Sequence, residues 1–155
     1  MAKAQSVTIS PLRAHLGYWL RFVSSHVSHA FARKLELRGV TVAEWVILRE
    51  LYEGDTVAPS DIAARVGLTR GAISKLCDRL AAKELVAQAP GRGDRRYQVL
   101  RLTAAGRALV PKLAALADKN DTEFFGHLKP AERAALEAAM MDIARRHGLK
   151  TTPTE

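Results

Sequence analysis

Residues 60–106 read SDIAARVGLTRGAISKLCDRLAAKELVAQAPGRGDRRYQVLRLTAAG, and the order of signals along them decides the fold. Ser60 stands where it can cap a short helix whose apolar residues Ile62, Ala63 and Val66 fall at helical spacing, and Gly67 supplies the positive φ that ends it. After a tight turn, Thr69 is a natural N-cap for a second helix with Ile73, Leu76 and Leu80 as its buried stripe. At about 100° per residue, centring Ile73 on that stripe puts Gly71, Lys75 and Asp78 almost opposite, with Ser74 and Arg79 on the flanks. The buried side of this helix thus has apolar residues and its outer side polar ones.

Residues 85–88 and 97–102 read as two strands, and the segment 89–96 between them is too rich in Gly and Pro to be helical. Two helices, a hairpin and a third helix starting at Thr103 form the plan of a winged helix-turn-helix, a mainly α fold with a small β-hairpin wing. In that plan Thr69, Arg70, Gly71, Ser74, Lys75, Asp78 and Arg79 meet a major groove. Gly71 leaves room for close backbone approach, and Ser74, Lys75 and Arg79 bond phosphates or base edges. Arg92, Arg95 and Arg96 crowd the hairpin tip, where a narrow minor groove with its concentrated negative potential attracts arginine.

The run Gly93-Asp94-Arg95-Arg96-Tyr97-Gln98-Val99-Leu100-Arg101-Leu102-Thr103-Ala104-Ala105-Gly106 resembles the Asp-x-Arg wing and following Leu-Thr-x-x-Gly of the MarR family, the multiple antibiotic resistance type regulators. The resemblance extends over nearly the whole chain. It implies that Arg96 enters the minor groove, that Asp94 orients it, and that Arg95 lies nearer a phosphate. One departure stands out: the family often has Gly between the recognition helix and the first wing strand, where this chain reads Lys83-Glu84-Leu85-Val86. Some relatives sense peroxides through a cysteine in the first helix, and this chain has none there.

Composition agrees with a nucleic-acid partner. The formal charge is +8 over 155 residues. Between Arg65 and Arg107 ten Lys or Arg face three acids, a net of +7, so nearly all the excess sits on the proposed reading unit. A single cysteine excludes an intrachain disulfide and argues against a thiolate metal site. Cys77 falls on the Ile73 side of its helix and is expected to pack there. Without a signal-peptide pattern or an apolar run long enough to span a bilayer, no membrane association and a cytoplasmic location are expected.

Outside the reading unit, Ser10-Pro11 is a helix start and Gly39 a helix end, giving a long first helix whose apolar residues Leu12, Leu16, Trp19, Val23, Val27, Ala30 and Phe31 step by three or four. Thr41-Val42-Ala43-Glu44 is a capping box for a second helix ending near Gly54. Thr103 caps a helix running past Pro111 to about His127, with a bend expected at the proline, and Pro130 opens a last helix ending at Gly148. One domain over 1–155 is expected, with 41–103 as the DNA-binding region. The helices of 10–38 and 104–148 are expected to form a dimerisation layer, because a small reading head offers them little to pack against. A homodimer suits a pseudo-palindromic operator in double-stranded DNA with half-sites ~34 Å apart.

Tyr18, Trp19 and Phe22, followed by His26 and His29, make an aromatic cluster. In MarR-like proteins small anionic aromatics often bind between dimer layer and reading head, so Trp19, Arg21, His26 and Trp45 are candidate ligand-binding residues. Core packing is the competing role for both tryptophans. His26 and His29 at i, i+3 share a helix face, but two ligands are too few to define a metal site. No catalytic constellation stands out, and no metal or other cofactor is expected. The expectation is therefore a homodimeric, sequence-specific DNA-binding repressor released by a small aromatic or anionic ligand, not an enzyme. The alternatives are a winged-helix protein-interaction module and a small-molecule binding protein without specific DNA readout.

Overall fold

The computed structural model describes residues 9–54, 56–91 and 98–150. After a 3₁₀ turn at Leu12–Ala14, the elements are α1 (Leu16–Glu36), α2 (Val42–Tyr52), α3 (Pro59–Val66), α4 (Arg70–Ala82), β1 (Val86–Pro90), β2 (Gln98–Leu102), α5 (Ala104–Phe125) and α6 (Pro130–Arg146). The strands form an antiparallel pair with Val86 opposite Leu102 and Pro90 opposite Gln98. Val57 adds a third edge by exchanging two backbone hydrogen bonds with Leu100, at 3.0 and 2.8 Å.

The core lies inside the reading head. Ile47, Leu48 and Leu51 of α2, Ile62 of α3, Ile73 and Leu80 of α4 and Leu100 of β2 are fully or almost fully buried, joined by Leu35 at the end of α1 and by Val110 and Leu113 of α5. The strands alternate as a half-buried pair must, with Leu100 and Leu102 inward and Arg101 outward. Only one end of α1 and one stretch of α5 enter this core. The other long apolar residues of α1, Leu16, Trp19, Leu20 and Val23, are exposed, and no residue of α6 is buried.

Several boundaries differ from the sequence reading. The first helix begins at Leu16, not at Ser10-Pro11, and ends at Glu36. Its entry is held as a 3₁₀ turn: the Trp19 indole N–H donates to the Arg13 carbonyl (2.9 Å), His15 Nδ1 lies 3.2 Å from the Leu12 carbonyl, and His15 itself is extended. Ser60 is not a cap. Pro59 takes the first helical position, where its missing N–H costs nothing, and Ala58 becomes the N-cap. The first strand runs on to Pro90, so Ala89 and Pro90 belong to the hairpin arm rather than the loop. The last two helices end at Phe125 and Arg146, slightly before the expected stops.

Two backbone positions set the joint between the strands and α5. Glu84 sits at φ +56°, the only non-glycine at positive φ among the described residues, within the stretch 83–86 where the sequence departs from the pattern it resembles. Gly106 is there for lack of space: a Cβ on it would lie 2.1 Å from the Leu85 carbonyl oxygen. Substitutions at these two sites should have opposite signs. Gly106→Ala should destabilise by about 1–3 kcal/mol or more, as overpacking does. Glu84→Gly should stabilise by up to ~1 kcal/mol, the left-handed penalty of about 1–2 kcal/mol less the entropy that glycine costs. Urea unfolding of both variants measures this, and a neutral Gly106→Ala would contradict the packing.

Candidate nucleic-acid interface

The helix-turn-helix is built from local signals. Gly67 ends α3 at φ +71°, in the left-handed conformation that glycine takes without strain. Two residues on, Thr69 Oγ1 accepts from the Ala72 N–H at 3.2 Å and caps α4. Along α4, Ile73, Leu76, Cys77 and Leu80 are buried, while Arg70, Gly71, Ser74, Lys75, Asp78 and Arg79 are exposed, as is Thr69. The sequence-derived face is therefore brought together on one side of one helix. A Cβ on Gly71 would meet nothing within 4 Å, so the backbone at the start of α4 is open to close approach. Among the described residues no ion pair engages Arg70, Lys75 or Arg79.

The rest of the basic excess divides. Arg92, Asp94, Arg95 and Arg96 lie outside the described residues. Arg65 pairs with Glu50 at 3.3 Å, and the Arg107 guanidinium lies 5.3 Å from the centre of the Tyr52 ring. Lys83, on the surface along much of its side chain, keeps its ammonium bonded within the protein. Its Nζ donates to both oxygens of Glu44, at 2.8 and 2.7 Å, and to the Gly39 carbonyl at 2.8 Å. Glu44 is only 1% exposed and also completes the capping box of α2, accepting from the Thr41 N–H at 2.8 Å while Thr41 Oγ1 accepts from the Glu44 N–H. Sequence reading found the capping box but not the lysine, which is 39 residues away.

Cys77 packs in the core at 2% exposure. Burial, with the Asp78 carboxylate beside it, raises the thiol's pKa and disfavours the reactive thiolate.

The four candidate ligand residues do not line one cavity within a chain. Trp19, 45% exposed, borders an apolar groove of about 680 Å³ between α1, α5 and α6, together with Val23, Phe124, Phe125 and Met140. Arg21 and His26 border a separate, shallow depression of about 260 Å³ with Tyr18 and Phe22. Trp45 is partly buried against the core and packs edge-on to Phe31.

A family model described as the MarR family matches residues 38–96. A putative transcriptional regulatory protein for the hcr operon of Thauera aromatica is 24% identical over 135 residues, covering 86% of this chain and 81% of that protein. The HTH-type transcriptional repressor NicR of Pseudomonas putida is 28% identical over 97 residues, which span 63% of this chain and 61% of NicR. Among solved structures, Bordetella bronchiseptica BpsR, whose DNA binding is regulated by 6-hydroxynicotinic acid, superposes with a TM-score of 0.76 at 25% identity, covering 88% of this chain and 98% of BpsR.

The Glu44 site makes stability depend on acid. Burial alone would raise the Glu44 pKa, but the hydrogen bonds from Lys83 and the Thr41 N–H, with the ammonium's charge, outweigh it and hold the carboxyl below its ordinary value. A lowered folded pKa means stabilisation that is complete above the unfolded value, near 4.3, and lost as pH falls through the folded one. The stability gap between wild type and Glu44→Gln should therefore be constant near neutrality and shrink below about pH 4.3. Urea midpoints measured against pH check this; a gap that widens in acid would reverse the sign.

Proposed function

The chain belongs to the MarR family of winged helix-turn-helix transcriptional regulators, and from that premise we propose how its parts divide the work. As a homodimer it binds a pseudo-palindromic operator in double-stranded DNA and represses transcription until a small ligand releases it. One arrangement carries the DNA assignment: the row Arg70, Gly71, Ser74, Lys75, Asp78 and Arg79 lies exposed on a helix whose opposite side is buried in the head. That helix enters the major groove, and the wing residues Arg92, Asp94, Arg95 and Arg96 reach the adjacent minor groove, with Asp94 orienting Arg96. The role is binding rather than catalysis, it asks for no cofactor, and it places the protein with its DNA in the cytoplasm.

The dimer accounts for the exposed arms. A 17-residue helix such as α6 gains little stability in isolation, and here none of its residues is buried. Its Leu136, Met140 and Ile143, with Leu16, Trp19, Leu20 and Val23 of α1, form an apolar surface that a second copy covers.

The effector is a small anionic aromatic. Trp19 and the Arg21–His26 face belong to different depressions, so a shared ligand site would be completed by the partner's surface. If Trp19 lines that site, small aromatic carboxylates should quench its fluorescence saturably and release DNA over the same concentration range, since linkage is reciprocal. Trp19→Phe should then shift ligand affinity, whereas Trp45→Phe should chiefly lower the melting temperature. Saturable quenching confined to Trp45 would move the site to the core side of α2.

The DNA assignment is tested with a duplex enriched by the protein from a random pool. Arg96→Ala should weaken binding by about 1–3 kcal/mol with the dimer intact. Of Lys75→Ala and Arg79→Ala, a phosphate-binding residue should weaken all sequences alike and lower the salt slope by about one, while a base-reading residue should relax specificity at one position. Unchanged affinity in all three would refute the assigned face. Enrichment of no duplex would favour a protein-interaction module.

A further inference from the structure

The three residues joining α4 to β1 are held by two separate parts of the molecule. Lys83, the C-cap of α4, reaches back to the turn between α1 and α2, where its three N–H donors meet Gly39 O and both Glu44 oxygens at 2.7–2.8 Å. Glu84 gives its carbonyl to the Thr103 hydroxyl at 2.6 Å. Leu85 accepts from the Thr103 N–H at 3.1 Å and lies against Gly106. The end of the recognition helix and the start of the wing are therefore fastened to the two places where the long helices α1 and α5 leave the head.

We infer that Glu44 and Lys83 are a positioning pair, which fixes the recognition helix relative to the α1–α2 turn without either residue touching DNA. This rests on the DNA-reading function proposed above. A lysine one residue beyond the recognition helix would ordinarily be taken for a phosphate contact. Here its ammonium is already saturated by three acceptors, one pair of them on a carboxylate that is almost wholly buried. A freed Lys83 would leave the buried Glu44 carboxylate without a counter-charge, with only the Thr41 N–H as donor, so moving the ammonium to a phosphate is opposed. Helix α4 is thus capped locally by Thr69 at its start and tied to the α1–α2 region by Lys83 at its finish. Its exposed row is presented at one rotation and one depth, and small misplacement of that row costs every contact along it.

The test compares Glu44→Gln, Lys83→Met and the double variant with wild type on a duplex that wild type enriches from a random pool, across a salt series, with amide exchange measured on the free proteins. Glu44→Gln and Lys83→Met should each weaken binding about tenfold or more with the salt slope unchanged, and the double variant should be no weaker than the worse single one. Amides of Lys83, Glu84 and Leu85 should exchange at least ~10-fold faster, while those of the α3 core do not. The double variant leaves no uncompensated charge, so it keeps the test decisive if Lys83→Met alone does not fold. A salt slope lowered by about one in Lys83→Met, with full affinity in Glu44→Gln, would make Lys83 a phosphate contact and overturn the inference. So would folded variants that melt earlier yet bind as wild type does. If wild type enriches no duplex, the DNA reading fails instead, and exchange alone decides: unchanged protection at 83–85 in Glu44→Gln overturns the pair's positioning role.

Discussion

The contact on which the most depends is the approach of Gly106 to the Leu85 carbonyl. Any side chain at 106 would place its first carbon 2.1 Å from that oxygen, so the first turn of α5 can lie against the start of β1 only with glycine there. Thr103 completes the joint in two directions. Its hydroxyl donates to Glu84 O and accepts from the Gly106 N–H, and its backbone N–H donates to Leu85 O. Leu102, one residue earlier, is buried opposite Val86. The Leu-Thr-x-x-Gly run is therefore a packing device that binds the base of the hairpin to the longest helix.

From this joint outward the molecule separates into a head that closes on itself and arms that do not. The head buries side chains from three helices and the hairpin around Leu51, Ile62, Leu80 and Leu100. The arms hold together by fewer, polar contacts: Lys34 of α1 donates to the largely buried Asn120 of α5 at 3.0 Å and pairs with Glu123 at 2.6 Å, and Arg133 of α6 pairs with Asp121 at 2.8 Å. Surface ion pairs such as Arg133–Asp121 contribute little, because water screens both charges. The apolar surface left on α1 and α6 is the larger reserve of free energy, and it is realised only when another surface covers it.

What the sequence made readable follows from range. Caps at Thr41, Thr69 and Thr103 and the helix end at Gly67 act over three or four residues, and all four occur as read. At Ser60 two local signals compete, and the neighbouring proline prevails. After Ser10-Pro11 the chain makes only a 3₁₀ turn before an extended His15, and the Trp19 indole bonds back six residues to Arg13. Glu84 was visible only as a missing glycine; that the backbone keeps the left-handed turn regardless is a property of the packing around it. Lys83 with Glu44, Val57 with Leu100 and Lys34 with Asn120 bridge 39 residues or more, and no periodicity marks such pairs in advance.

The same distinction governs how charge should be counted. A net of +7 over residues 65–107 describes the segment but not the field a duplex meets. Lys83 is cancelled by Glu44 inside the head, Arg65 is drawn to Glu50, and Arg107 rests on Tyr52. The cations left on the face of α4 are Arg70, Lys75 and Arg79, each on an exposed position of a helix that Lys83 ties to the α1–α2 region at its end. The inferred positioning pair would make such a head respond as a unit, since the residues after α4 are tied to the roots of α1 and α5. For the ligand proposed to bind among the arms, the direct means of altering DNA affinity is then to change the separation or angle of two heads across the proposed dimer. A coupling of about 1–3 kcal/mol is enough to change operator affinity roughly 5- to 150-fold, so a modest preference for one head spacing suffices and no deformation of the reading helix is needed.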